Sequence, residues 1–284
     1  MANNSAAGIR WDLSDLFAAY DDGKIETTLN DCRAKAMEFA ERYRAPLDNP
    51  LTLSAVTLVG ALQQLSVIYE ALGRVASYAG LLYAADTAKP EYQDLDQRVE
   101  QRSTEIRNLL LFFELAWLKV EDEIAAKLMR DEQLKPYQHY LASLRRYRPH
   151  MLSELEEKLI NEKDNTGRNA FGRLFSEITS ALVFKLEKDG KTEELNLSQI
   201  LSLLHEPDRS LRQRAMETVY RELSQNGQVL TFIYDTLIQD NLTTDRLRRY
   251  PHPMAPRHLS NEIDGAAVKT MMEVAEKNYP LAHD

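Results

Sequence analysis

Apolar side chains return mostly at the helical period. Ile25, Leu29, Cys32, Ala36, Phe39 and Tyr43 step by four, three, four, three and four residues, which places them on one helix face. Pro46 and Pro50 follow and are expected to break the helix, because proline removes a ladder hydrogen bond and clashes with the preceding turn. Leu58, Leu62, Leu65, Leu72, Val75, Ala79 and Leu82 mark a second, longer helix reaching Asp86. After Pro90 a third helix carries Tyr92, Leu95, Val99, Ile106 and Leu110 inward. The short connections predict three antiparallel neighbours. A fourth helical stretch covers about 115–134, and beyond Pro136 lies a Tyr- and Arg-rich piece, PYQHYLASLRRYRPH.

Ser153 precedes ELEEKLI and is placed to cap that helix, with acids in the first turn matching its dipole. A polar loop ending at Gly167 and a helix from Ala170 to about Ala181 are expected next. Then the period changes to two. Leu182, Phe184 and Leu186 alternate, as do Leu195 and Leu197, and Asp189-Gly190 between them is a strong hairpin signal. Helices resume near Ser198, a Pro-rich connector YPHPMAPRH covers 250–258, and a last helix spans about 264–278. The fold class predicted is mainly α, an antiparallel helical bundle-like array with one β-hairpin near 182–197.

The stretch LLHEPDR, residues 203–209, holds the first half of a zinc-peptidase signature. That signature needs His at i and i+4 of one continuous helix, with Glu at i+1 as general base. Arg209 stands where the second His belongs, and Pro207 would interrupt the helix. The better reading starts a new helix at Pro207, with Leu211, Ala215, Val219 and Leu223 as its buried stripe, and leaves His205 in a loop or helix end. His252 and His258 flank prolines six residues apart, and His139, His150 and His283 are isolated. No Gly-rich phosphate loop occurs, so the residues by themselves display no catalytic or metal-binding constellation.

Composition narrows the classes further. Lys and Arg number 35 against 44 Asp and Glu, a net charge of −9, which argues against a general nucleic-acid or anionic-membrane binder. The small basic clusters at Arg145, Arg146, Arg148 and at Arg246, Arg248, Arg249 read as solvated arginines pairing with nearby acids. The single cysteine, Cys32, excludes an intrachain disulfide and falls on an apolar helix face, as a packed thiol. MANNSAAGIRW lacks the pattern of a signal peptide, and no stretch has the continuous apolar run of a membrane span. A cytoplasmic location is the expectation.

Several stretches together resemble the oligoendopeptidase F family, zinc peptidases related to thimet oligopeptidase. They are ASYAGLLYAADTAKPEYQDL at 76–95; 146–186, beginning RYRPHMLSELEEK; HEPDRSLRQRAMETVY at 205–220; and RHLSNEIDGAAVKTMMEVAEKNYPLA at 257–282. The second stretch is the most specific, with Arg148, Pro149, His150, Leu152, Ser153, Glu156, Glu157, Gly167, Ala170 and Phe171 at matching places, Phe171 replacing a frequent tryptophan. Trp11, Asp12, Leu13 and Leu16 match the start of the family pattern.

The resemblance implies an N-terminal helical region over 1–113, an oligoendopeptidase F-type N-terminal module over 114–190, and over 191–284 the opening of a peptidase domain that stops before the zinc motif. It implies a zinc metallo-oligopeptidase hydrolysing short peptides, of which this chain is the N-terminal portion, binding no zinc itself and inactive alone. The alternative is a non-catalytic helical protein binding peptides or a partner on the same scaffold. Tyr137, Tyr140, Tyr147 and His150 are the candidates for lining a peptide groove, although amphipathic aromatics fill helix junctions as readily. Partners expected are oligopeptides, a C-terminal catalytic half, or a second copy of the chain docking on the last helix through Val268, Met271, Met272, Ala275 and Tyr279. No nucleic-acid or membrane partner is expected.

Overall fold

The computed structural model describes residues 11–49, 53–188 and 190–283; residues 1–10, 50–52, 189 and 284, with Pro50 and Asp189 among them, lie outside. Three long helices form the main core: α1 (Gly23–Leu47), α2 (Ala55–Ala85) and α3 (Pro90–Leu110). Asp22 caps α1 by accepting from the Lys24 amide, Ser54 caps α2 from the Thr57 amide, and Pro90 opens α3 where its missing N–H is not needed. The α1 stripe Ile25, Leu29, Cys32, Ala36, Phe39 and Tyr43 is buried as its spacing predicts. Burial also pushes the Cys32 thiol up from its ordinary value, as suits a packed rather than a reactive cysteine. Pro46 does not end α1 but sits in its last turn, and the Asp48 amide still reaches the Arg44 carbonyl. One proline so close to a helix end removes a single hydrogen bond and leaves the termination to the cap.

By length and composition α2 is long and apolar enough to cross a membrane. In this fold ten of its residues, from Ala55 to Ala79, are buried, and α2 packs on both α1 and α3. The Arg74 guanidinium on α2 donates to the carbonyls of Asp15 (2.6 Å) and Leu16 (3.2 Å), and Phe17 packs on Tyr78 with ring centroids 5.2 Å apart. These contacts fasten the segment before α1 across the bundle.

The helix expected over 115–134 is divided into α4 (Phe112–Lys119), α5 (Asp122–Met129) and a 3₁₀ turn, Glu132–Tyr137. The cause lies outside the stretch. Arg145, at the end of α6 (Gln138–Arg145), donates to the carbonyls of Trp117 (3.0 Å) and Val120 (2.8 Å) and pairs with Asp122. Its charge satisfies the carbonyls that a helix end leaves free. The Trp117 indole in turn donates to the Leu141 carbonyl at 2.9 Å, locking α4 to α6.

α7 (Glu154–Thr166) opens with a full capping box between Ser153 and Glu156. It continues through the polar residues expected to loop, because those residues bond to α3: Asn161 and Glu162 to Asn108, and Asn165 to Thr104. Gly167 separates α7 from α8 (Arg168–Ala181), where a Cβ would lie 3.0 Å from the Lys163 carbonyl. The predicted hairpin follows as β1 (Phe184–Lys188) and β2 (Lys191–Leu195), antiparallel, with Phe184 facing Leu195 and Lys188 facing Lys191. Gly190 takes φ +74° at the turn.

α9 (Leu197–Ser202) leads into a 3₁₀ turn at Leu203–His205 and then α10 (Arg209–Gln225). Pro207 lies before that helix rather than at its first position, and Asp208 caps it by accepting from the Ser210 amide. An aspartate hydrogen bond defines the helix start better than proline geometry alone. Phe184, Leu186, Ile200, Leu203, Leu211, Ala215 and Val219 form a second, smaller core. α11 (Gly227–Leu247), α12 (Ala255–Ser260), α13 (Gly265–Lys277) and α14 (Pro280–His283) complete the chain. α12 begins inside the connector expected over 250–258, with Pro256 in its first turn.

α7 is also tied to α1. Both oxygens of Glu154 accept from Arg44, at 2.9 and 3.0 Å, and Lys158 adds a third bond at 2.7 Å. The Arg44 hydrogen bond is the main cause that holds the Glu154 carboxyl down to about 2. A carboxyl depressed in the folded state adds stability that is full above its unfolded value and lost as pH falls through the folded one. With 40% and 30% of the two side chains exposed, screening limits the pair to about 1 kcal/mol. Glu154→Gln should therefore lower stability by about that amount at neutral pH, the difference narrowing as pH is lowered from about 5 toward 2 in urea unfolding series.

Candidate functional site

The four aromatic candidates lie on three successive short elements. Tyr137 is half-buried at the end of its 3₁₀ turn and packs on the main core. Tyr140, on α6, keeps 36% of its surface open, and burial of its hydroxyl near Glu114 on α4 raises it above the ordinary phenol. Tyr147 and His150 lie beyond α6, around the 3₁₀ turn Arg148–His150. The His150 ring stacks on Tyr250 with centroids 4.0 Å apart and 22° between planes. Its Nδ1 lies 2.9 Å from the Arg248 carbonyl, which accepts a hydrogen bond from the protonated nitrogen.

Arg248 is the centre of this second group. It caps α11, and its guanidinium donates to both oxygens of Glu157 at 2.7 Å each. Glu157 is 5% exposed and also accepts from the Leu152 amide at 3.1 Å. Arg248 is thus no solvated surface arginine; it closes a buried, bidentate pair between α7 and the end of α11. Arg145 departs from the solvated reading in the same way, with its side chain 12% exposed.

Glu114 joins the two groups. Burial pushes its carboxyl up from the usual range, the Tyr140 hydroxyl partly offsets this, and Glu157 adds to the rise. Burial also pushes Tyr69 on α2 to about 12, with Glu114 contributing, and raises Tyr140 well above the ordinary phenol. Glu114, Tyr69 and Tyr140 thus share a desolvated region in which each group's shift is coupled to another's, near the Glu157–Arg248 pair. Sequence reading named Tyr140 and His150 but missed Glu114, Tyr69, Arg248 and Tyr250. No local pattern marks them, because they come from three places far apart in the chain: α2, α4 and the end of α11.

The zinc implied by the resemblance was tested against the residues present. Among the described residues no three His, Cys, Asp or Glu side chains are grouped to hold a metal ion. His205 ends a 3₁₀ turn and Glu206 is extended at ψ 147°, so the pair is not on a continuous helix. His139 pairs with Glu262 at 3.0 Å, and the His252 and His258 rings lie edge to face at 5.9 Å. The donor set needed for zinc is not assembled by these residues.

Residues 117–184 match the family described as Oligopeptidase F. Oligopeptidase PepF of Bacillus subtilis is 26% identical over 235 residues, covering 81% of this chain and 35% of that protein. An oligoendopeptidase F homolog of Borreliella burgdorferi is 24% identical over 275 residues, covering 97% of this chain and 45% of its own length. The crystal structure of oligoendopeptidase-F from Enterococcus faecium superposes with TM-score 0.79 at 21% identity, over 92% of this chain and 51% of that one. The chain therefore spans about half or less of the proteins it matches.

Replacing Arg248 by Met leaves the buried Glu157 carboxylate without its counter-charge, with an expected loss of about 3–5 kcal/mol. Adding Glu157→Leu should restore most of that loss. Chemical denaturation of the two single variants and the double variant measures the coupling, and additive losses would show that the pair is not coupled.

Proposed function

We propose, for a chain related over nearly its whole length to the N-terminal part of oligoendopeptidase F peptidases, that it is the helical portion of a zinc metallo-oligopeptidase that does not itself bind the metal. The ordered similarity along the chain, together with the shared helical fold, carries this reading. In it, a His-Glu-x-x-His helix supplied by another segment would hold the zinc and bring the hydrolytic chemistry, while the residues described here hold none of its ligands. The helices described here wall the space in which a short peptide is held. A cytoplasmic location belongs to the same proposal.

Exposed apolar side chains support a catalytic partner segment. Phe232, Tyr234, Ile238 and Leu242 on α11 and Met271, Met272 and Val274 on α13 are all open to solvent. Apolar exposure on this scale marks a surface that another polypeptide covers. We assign it to the remaining part of the peptidase, in preference to a second copy of this chain.

Purified alone, these 284 residues are expected to bind no stoichiometric zinc and to leave a quenched fluorogenic peptide intact. Robust zinc-dependent turnover by this chain would overturn the proposal. Supplying a polypeptide that carries the His-Glu-x-x-His helix should yield cleavage and slow amide exchange on α11 and α13. Peptide binding with no gain in cleavage would instead favour a non-catalytic peptide-binding protein.

A further inference from the structure

Neither α12 nor α13 has a fully buried residue, so no core contact fixes the last part of the chain. Among the described residues, the hydrogen bonds and ion pairs that join 251–283 to the rest of the molecule all end on one side chain, Glu262. Its carboxylate accepts from the Ser143 hydroxyl at 2.7 Å and from the Arg146 guanidinium at 2.9 Å, and lies 3.0 Å from His139 Nε2. These three partners recur at i, i+4 and i+7, on one face of α6 and its cap. α6 itself is fixed to α4 by the Trp117 indole and by Arg145. One side of the contact is therefore rigid, and the other belongs to a segment with no second polar tie.

The backbone at Glu262 is unusual as well. α11 and α12 end in the same way: the Tyr250 amide returns to the Asp245 carbonyl at 2.9 Å, and the Ile263 amide to the His258 carbonyl at 3.1 Å. That closure puts one residue in the left-handed region, where glycine is the usual occupant. Here those residues are Arg249, at φ 59°, and Glu262, at φ 54°, and among the described residues no other non-glycine has positive φ. A side chain in that region costs conformational energy, which at Glu262 its bonds to α6 offset. The Ser143 hydroxyl above all, with His139 and Arg146 adding to it, also holds the Glu262 carboxyl below the usual range and so in its charged form.

The two ends of the segment differ. At the near end Tyr250 is stacked on the His150 ring beside the Glu157–Arg248 pair, 33% or more desolvated groups aside from solvent exchange of charge. At the far end the Glu262 and Arg146 side chains are each 40% exposed, where solvent and salt compete for the contact. Between them Pro251, His252, Pro253 and Met254 are exposed and outside any helix.

We propose that the segment from Tyr250 to Glu262 is a strap, permanently pinned at Tyr250 and latched at Glu262 onto the His139–Ser143–Arg146 face of α6. Releasing the latch lets α12 and α13 swing about the connector 251–254. Met271, Met272 and Val274 lie on α13, so the latch sets where that exposed apolar face points. The inference rests on these contacts alone and stands or falls apart from the peptidase reading.

The test measures one distance in the whole chain by pulsed electron paramagnetic resonance. Spin labels go on Lys127→Cys in α5 and Lys269→Cys in α13, both exposed positions, while the buried Cys32 stays unlabelled. The parent chain should give a single narrow distribution. Glu262→Ala should broaden it about twofold or more, as expected of a released hinge. Glu262→Gly should broaden it equally, although glycine suits the left-handed turn better, because the carboxylate and not the turn is the latch. Raising salt to about 1 M, where screening reaches within about 3 Å, should broaden the distribution of the unaltered Glu262 chain without any need for a variant to fold. A distribution already broad in the parent chain, or one that stays narrow in both Glu262 variants and in high salt, would overturn the proposal. A narrow distribution in Glu262→Gly beside a broad one in Glu262→Ala would overturn it too, by assigning the effect to turn geometry.

Discussion

The Glu157 carboxylate, shut inside the protein against the Arg248 guanidinium, decides how the second half of the chain sits on the first. α7 has almost no apolar anchor: Glu157 is its one buried residue, while Leu155 and Leu159 are 81% and 63% exposed. Its position is set by polar bonds in three directions. Glu154 reaches Arg44 on α1, Asn161 and Glu162 reach Asn108 on α3, and Glu157 reaches the end of α11. Such bonds are directional where hydrophobic contact is not, so they fix orientation as well as proximity.

This arrangement makes α3 a wall with two faces. One face closes the main core through Leu95, Val99, Ile106 and Leu110. The other meets α7 and α8 across a polar seam running from Asp96 and Glu100 to Asn108. Desolvated acids and phenols accumulate where such a seam meets the core. Glu114, Tyr69 and Tyr140 are shifted upward chiefly by the cost of charging a group removed from water, with neighbouring acids adding to the rise.

The same layout explains why LLHEPDR is not a metal site. The second core places Leu203, Leu211, Ala215 and Val219 against β1, and the backbone turns between Leu203 and Leu211 to do so. His205 and Glu206 occupy that turn, exposed to solvent. Their similarity to a zinc motif is one of letters, whereas a zinc motif is a property of helix geometry.

Local physics in the sequence was enough for the three long helices, the Ser153 cap and the hairpin. Apolar stripes, a capping hydroxyl and a turn glycine each act over a few residues. It was not enough for the break between α4 and α5, made by Arg145 from 25 residues away, or for the full length of α7, whose buried side is polar. It was least adequate for the site. Glu157 and Arg248 stand 91 residues apart, and neither flanking segment carries a sign of the other. Periodicity records which side of a helix avoids water, and so determined the elements; which charged side chain meets which depends on how those elements pack, and only the tertiary structure decided that.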